Sequence, residues 1–167
     1  MLTQPVGFAT EYPTHLFKEA AFAFRDYQFK RYGRLMIGAC LINVLGLTSA
    51  MYFGASRDFT FYAFVFFVAM GPIWLLYKFF VTPHTRAAML RLVFAESGRV
   101  TVGSESIALP MRRGEAVFPW KNFSVVLEKQ AFFLFAMTPF SFYFVPKFGM
   151  PESAHEIIHS RVQSNGA

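Results

Sequence analysis

The stretch whose residue types and spacing most directly suggest chemistry is His155-Glu156-Ile157-Ile158-His159. On a helix, two histidines four apart share a face and can grip zinc, while the intervening glutamate polarises a bound water. A catalytic zinc takes three protein ligands plus water. No His, Glu, Asp or Cys follows His159, so a third ligand has to come from upstream, where His15 and His84 are the other histidines. Arg161 would oppose a cation there. A chance match on an amphipathic terminal helix is the plainer reading, and a small membrane zinc hydrolase using His155, Glu156 and His159 is the alternative.

Other candidates are binding residues rather than catalytic ones. Arg112-Arg113 suits phospholipid headgroups, a partner's acidic face, or a solvated turn. Trp120 is either a ligand anchor or core, and a small domain needs it as core. Lys147 joins these as a surface or structural determinant. Glu96, Glu105, Glu115 and Glu128 fall at turns or strand ends, where solvated charges are usual. No nucleophile sits at a recognisable elbow and no glycine-rich loop precedes a helix, so no catalytic residue and no cofactor is assigned.

The elements that must position these residues begin with two apolar runs, 35–53 and 59–81. Crossing a bilayer core takes about 20 apolar residues at roughly 1.5 Å each. The first run has no charge and the second none before Lys78. With 54% hydrophobic residues and 23 Phe, the whole composition favours a membrane class. The net charge of +6 is uneven. Lys18, Arg25, Lys30, Arg31 and Arg34 precede the runs, Arg57 and Asp58 cancel between them, and Lys78 near the end of the second is followed by Arg86 and Arg91. The positive-inside rule then places both termini in the cytoplasm, with the short loop outside. Anionic headgroups account for these bases better than nucleic acid does. The single cysteine, Cys40, excludes an intrachain disulfide.

Within the runs, Asn43 is the strongly polar side chain of the first, and Gly46 and Ala50 form a small-xxx-small pair suited to helix contact or self-association. Gly71-Pro72 predicts a kink in the second, with Trp74 and Tyr77 at the inner interface and Lys78 snorkelling. Ahead of them, 6–12 reads as a strand and 16–32 as an aromatic-rich helix. That helix lies in the headgroups, packs on the cytoplasmic domain, or runs into the first span. Residues 83–96 read as a juxtamembrane helix, with Arg86 and Arg91 toward headgroups and Gly98 as its stop. Short strands follow at 99–102, 106–111, 115–119, 123–128, 131–137 and 141–145, then a closing helix from Pro151 to about Val162. Phe132, Phe133, Phe135, Phe140, Phe142 and Phe144 outnumber what one sheet face buries, predicting an outward aromatic surface.

Pro119-Trp120-Lys121-Asn122-Phe123, Val125-Val126-Leu127-Glu128 and Val145-Pro146-Lys147-Phe148 resemble the C-terminal domain of the YcxB-like family of small bacterial membrane proteins. The resemblance implies two membrane helices, a short N-terminal strand and a domain similar to PH-like half-barrels; it implies no activity. Gly149-Met150-Pro151 stands where that family continues with basic residues. The expected fold is therefore membrane α+β: a two-helix transmembrane hairpin, then a small antiparallel PH-like β domain with a C-terminal helix. The expected segments are 1–34, 35–81, 82–98 and 99–167. The expected role is a non-enzymatic docking or regulatory module for a protein partner or anionic lipid, with an accessory subunit of a larger membrane complex as a further alternative.

Overall fold

The computed structural model describes residues 4–52, 59–138 and 141–164. These form two units, Met1–Phe24 with Arg86–Ala167, and Arg25–Thr85.

The first unit is built from both ends of the chain. β1 (Val6–Glu11) pairs antiparallel with β2 (Ser97–Val102), from Val6 opposite Val102 to Glu11 opposite Ser97. β3 (Ser106–Met111) and β4 (Gly114–Pro119) extend this sheet in the order β1-β2-β3-β4. Arg112 and Arg113 form the two-residue loop between β3 and β4, closed by the Met111–Gly114 pair. Gly114 has φ 126°, which a side chain rarely tolerates. β5 (Val125–Glu128), β6 (Phe132–Ala136) and β7 (Phe142–Pro146) make a second antiparallel sheet in that order. A single 3-10 turn, Trp120–Asn122, links the sheets, so the strand expected from 123 begins at Val125.

The long helix α1 (Thr14–Tyr52) begins in this unit. Leu16, Phe17, Ala20, Ala21 and Phe24 recur at three- and four-residue intervals and are all buried. Phe17 meets Phe144 edge-on at 5.2 Å, and Phe24 stacks on Phe142 at 4.4 Å. The beginning of α1 therefore packs on the second sheet and continues unbroken past residue 34, where a boundary was expected. This corrects the outward aromatic surface as well. Phe132, Phe133, Phe135, Phe142 and Phe144 are all buried, because Phe17 and Phe24 cover one face while Phe118, Trp120 and Phe123 meet Tyr143 and Phe135 on the other. Phe140 lies outside the described residues. Tyr12 sits among Phe17, Phe94 and Phe144. Burial raises its phenol pKa above the usual range, and its hydroxyl has no hydrogen-bond partner among the described residues.

In the second unit, α1 turns the stripe Met36, Cys40, Asn43 and Leu47 partly inward, while Leu35, Leu41, Ile42 and Leu45 are exposed. α2 (Phe59–Leu76) carries Gly71, where an added Cβ would lie 3.4 Å from Asn43 Nδ2. The polar side chain of α1 thus packs where α2 has no side chain. Gly46 lies outward, away from this seam. Lys78 Nζ lies 5.3 Å from the centre of the Trp74 ring.

α2 passes through Gly71 and Pro72 as one helix. The departure from α geometry comes later, in a π-helical turn at Tyr77–Val81, followed directly by α3 (Thr82–Val93). Pro83 cannot donate the usual backbone bond, and a π turn is one way for a helix to accommodate such a defect. Thr82 Oγ1 donates to the Tyr77 carbonyl at 3.4 Å. Among the described residues one helix is long and apolar enough to cross a membrane by length and composition, Thr14–Ser49 of α1. The expected inter-run loop lies outside them.

α3 corrects two further expectations. It ends at Val93 rather than near Gly98, because Phe94 is 1% exposed and bridges to Met111. Gly98 lies inside β2, where a Cβ would collide with the Pro110 ring. Neither Arg86 nor Arg91 points freely outward. Arg86 lies 5.1 Å over the Phe24 ring, and Arg91 donates to the Thr14 carbonyl at 3.0 Å.

Candidate functional site

A polar cluster forms where α4 (Glu152–Ser164) crosses the ends of the second sheet. Ala154 and Ile158 are fully buried and fix the helix against the strands. That anchoring puts His155 and His159, one turn apart, on the flank facing the end of β5. Glu128, the last residue of β5, receives both. His159 Nδ1 lies 2.7 Å from Glu128 Oε2, and His155 Nε2 lies 3.4 Å from Oε1.

Lys147 reaches the same carboxylate from the far edge of the sheet. β6 separates β5 from β7, and the register aligns Glu128, Phe133 and Val145 in one row. Lys147, two residues past Val145, lies across the Phe133 ring at 4.7 Å and donates to Glu128 Oε1 at 2.6 Å. His155 meets the same ring edge-on at 5.1 Å, and the two imidazoles are nearly parallel, 5.9 Å apart. Phe133 is thus the apolar floor of the cluster. The Lys147 bond holds the Glu128 carboxyl below its ordinary pKa against the opposing effect of burial, and the His159 bond adds a weaker lowering.

This arrangement bears on the metal alternative. His155 and His159 do share a face, but Glu156 is exposed on another, and the carboxylate that joins them is Glu128. The Lys147 ammonium already sits on that carboxylate. Among the described residues, no group of three His, Cys, Asp or Glu is placed to hold a metal. Chemically, the cluster is a carboxylate with both oxygens engaged by nitrogen groups, a clasp between helix and sheet.

The binding residues expected from sequence are not brought together. Arg112 and Arg113 are exposed at one end of β4 and Trp120 follows the other, about 20 Å away at ~3.4 Å per strand residue. Trp120 Nε1 donates to the Gly103 carbonyl at 2.9 Å, and Arg161 lies over its ring at 5.9 Å while donating to the Ser104 carbonyl at 2.6 Å. It closes the linker turn against the β2–β3 loop and α4, which is a structural role. Lys147 belongs to the clasp. Glu128, which the sequence presents as a solvated strand end, instead stands at the centre of the cluster. The signal available was a lone charge ending the apolar run Val125-Val126-Leu127, with Lys147 also directly following a strand.

Compared with family models, curated proteins and solved structures, the chain gives no match.

Proposed function

We propose that this protein is a membrane-anchored, non-enzymatic docking module whose β unit is a PH-like domain of the YcxB-like type. The helical unit anchors it as a two-helix hairpin in a bacterial inner membrane, with both termini cytoplasmic, and the β unit presents a surface to an anionic lipid or a protein partner. The observation that carries the anchoring is the outward array on α1: Leu35 at 75%, Ile42 at 72% and Leu45 at 64% exposure, with Asn43 turned toward Gly71. Large side chains facing outward all along a helix suit lipid, where polar groups turn toward a neighbouring helix. A four-stranded and a three-stranded antiparallel sheet with a closing helix support the PH-like assignment. The saturated Glu128 carboxylate supports a structural rather than acid–base role for the cluster.

Native mass spectrometry of the full chain, released gently from its own membranes, tests the reading. Retained anionic lipid or a stoichiometric partner polypeptide is expected. A mass excess of one zinc, lost in both His155→Ala and His159→Ala, would overturn it in favour of metal chemistry.

A further inference from the structure

The residues of α3 that lie in the β unit are amphipathic in an inverted sense. Their charged side chains pack inward: Arg86 over Phe24, and Arg91 on the Thr14 carbonyl, beside buried Ala87 and Phe94. Their outward side chains are Ala88, Met89, Leu92 and Val93, with Met89 60%, Leu92 66% and Val93 46% exposed. Spacings of three and four residues set Met89, Leu92 and Val93 in one stripe, without a charge among them. A water-facing helix normally distributes these residues the other way.

Basic residues border the stripe. The Arg112 N–H donates to the Val93 carbonyl at 2.9 Å, so the exposed Arg112-Arg113 loop adjoins the C-terminal end of α3. The acid nearest along that hairpin is Glu115, one residue beyond Gly114. An apolar helical stripe bordered by arginines has the chemistry of an interfacial helix, whose apolar face enters the acyl boundary while its bases meet lipid phosphates.

The chain's connectivity favours a bilayer as the occupant. α3 follows α2 through the π turn with no intervening loop. Only eight residues of chain lead from Val81, the end of the apolar run, to Met89. A stripe tethered that closely meets the surface of the membrane holding α2 before it meets a partner in solution.

We propose that Met89, Leu92 and Val93, together with Arg112 and Arg113, form a surface that docks the β unit on the anionic headgroup layer of the membrane anchoring the chain. This deepens the docking function proposed above and rests on it. The test uses full-length chain carrying Cys40→Ser, with an environment-sensitive fluorophore on Met89→Cys and, as control, on exposed Lys121→Cys. It is reconstituted in lipid nanodiscs of phosphatidylcholine with or without phosphatidylglycerol.

At position 89, blue-shifted emission and quenching by spin-labelled lipid are expected, severalfold stronger in the phosphatidylglycerol discs and reduced by Arg112→Glu with Arg113→Glu. Position 121 stays water-like. A water-like label at 89 in chain that co-elutes with disc lipid overturns this inference alone. Chain that does not co-elute with disc lipid overturns the anchoring as well. A label shielded in detergent as protein concentration rises overturns it in favour of a second copy.

Discussion

The two units handle the same kind of side chain in opposite ways. In the β unit, Phe24, Phe94, Phe133, Phe135 and Phe144 are at most 1% exposed and interlock ring against ring. In the helical unit, Leu35, Leu41, Ile42 and Leu45 stand outward, at 58% exposure or more. The polar groups reverse as well. Glu128 of the β unit collects three nitrogen partners near the surface, whereas Asn43 of the helical unit points at a glycine on the facing helix. Apolar content alone therefore does not tell an inward face from an outward one; the direction in which the residues point does.

The largest effect expected from breaking this contrast is in the aromatic core. Phe144→Ala removes contacts to Tyr12, Phe17, Phe94 and Phe132 and should cost the β unit about 3–5 kcal/mol. Ile42→Ala, a comparable truncation on an outward face, should leave the stability of that unit unchanged. Thermal unfolding of both variants in detergent, followed by near-ultraviolet circular dichroism, measures the difference.

A smaller loss is expected at the clasp. Glu128→Gln leaves the Lys147 ammonium without its counter-charge and should cost about 1–2 kcal/mol, given the partial exposure of the pair. Hydrogen exchange along α4 should rise in that variant, whereas Glu156→Gln should leave it unchanged. The same carboxylate carries a pH dependence. Its pKa is lowered on folding, chiefly by Lys147, so its contribution is complete above the unfolded value of roughly 4.3. It fades as pH falls through the lower folded value. The stability gap between wild type and Glu128→Gln should therefore hold near neutrality and close on acidification, as melting temperatures taken across that range will show.

The smallest effect belongs to the helical unit. Under the proposed membrane anchoring, Asn43→Ala should weaken α1–α2 association by only about 0.6 kcal/mol, because polar contacts between helices in a bilayer contribute little on average. Cross-linking yield between cysteines placed on the two helices reads this out. A loss as large as that at Phe144 would mean that Asn43 has a role beyond packing.

Local pattern made much of this architecture legible. Alternation and turn residues located the strands of the two sheets, with 106–111 matching β3 end to end. Proline at 151 located the start of the closing helix to within a residue. What stayed hidden depends on long-range contact. Nothing near Phe132–Ala136 reveals that Phe17 and Phe24, more than a hundred residues earlier, cover its second face. Gly98 resembles a helix stop until Pro110 is seen packed against it. The histidine pair was visible, but its partner was not Glu156 inside the motif; it was Glu128, set opposite by the docking of Ala154 and Ile158.

Under the proposed anchoring, one unit faces lipid and the other faces water. Cysteine accessibility in native membrane vesicles tests it directly, in a Cys40→Ser background with single cysteines at Leu41, Ile42 and Leu45 of α1 and at Lys121 and Glu156 of the β unit. Positions 41, 42 and 45 should resist a membrane-impermeant maleimide until detergent is added, while 121 and 156 react at once in inside-out vesicles. Equal reaction at all five sites without detergent would mean that the helical unit lies in water rather than lipid.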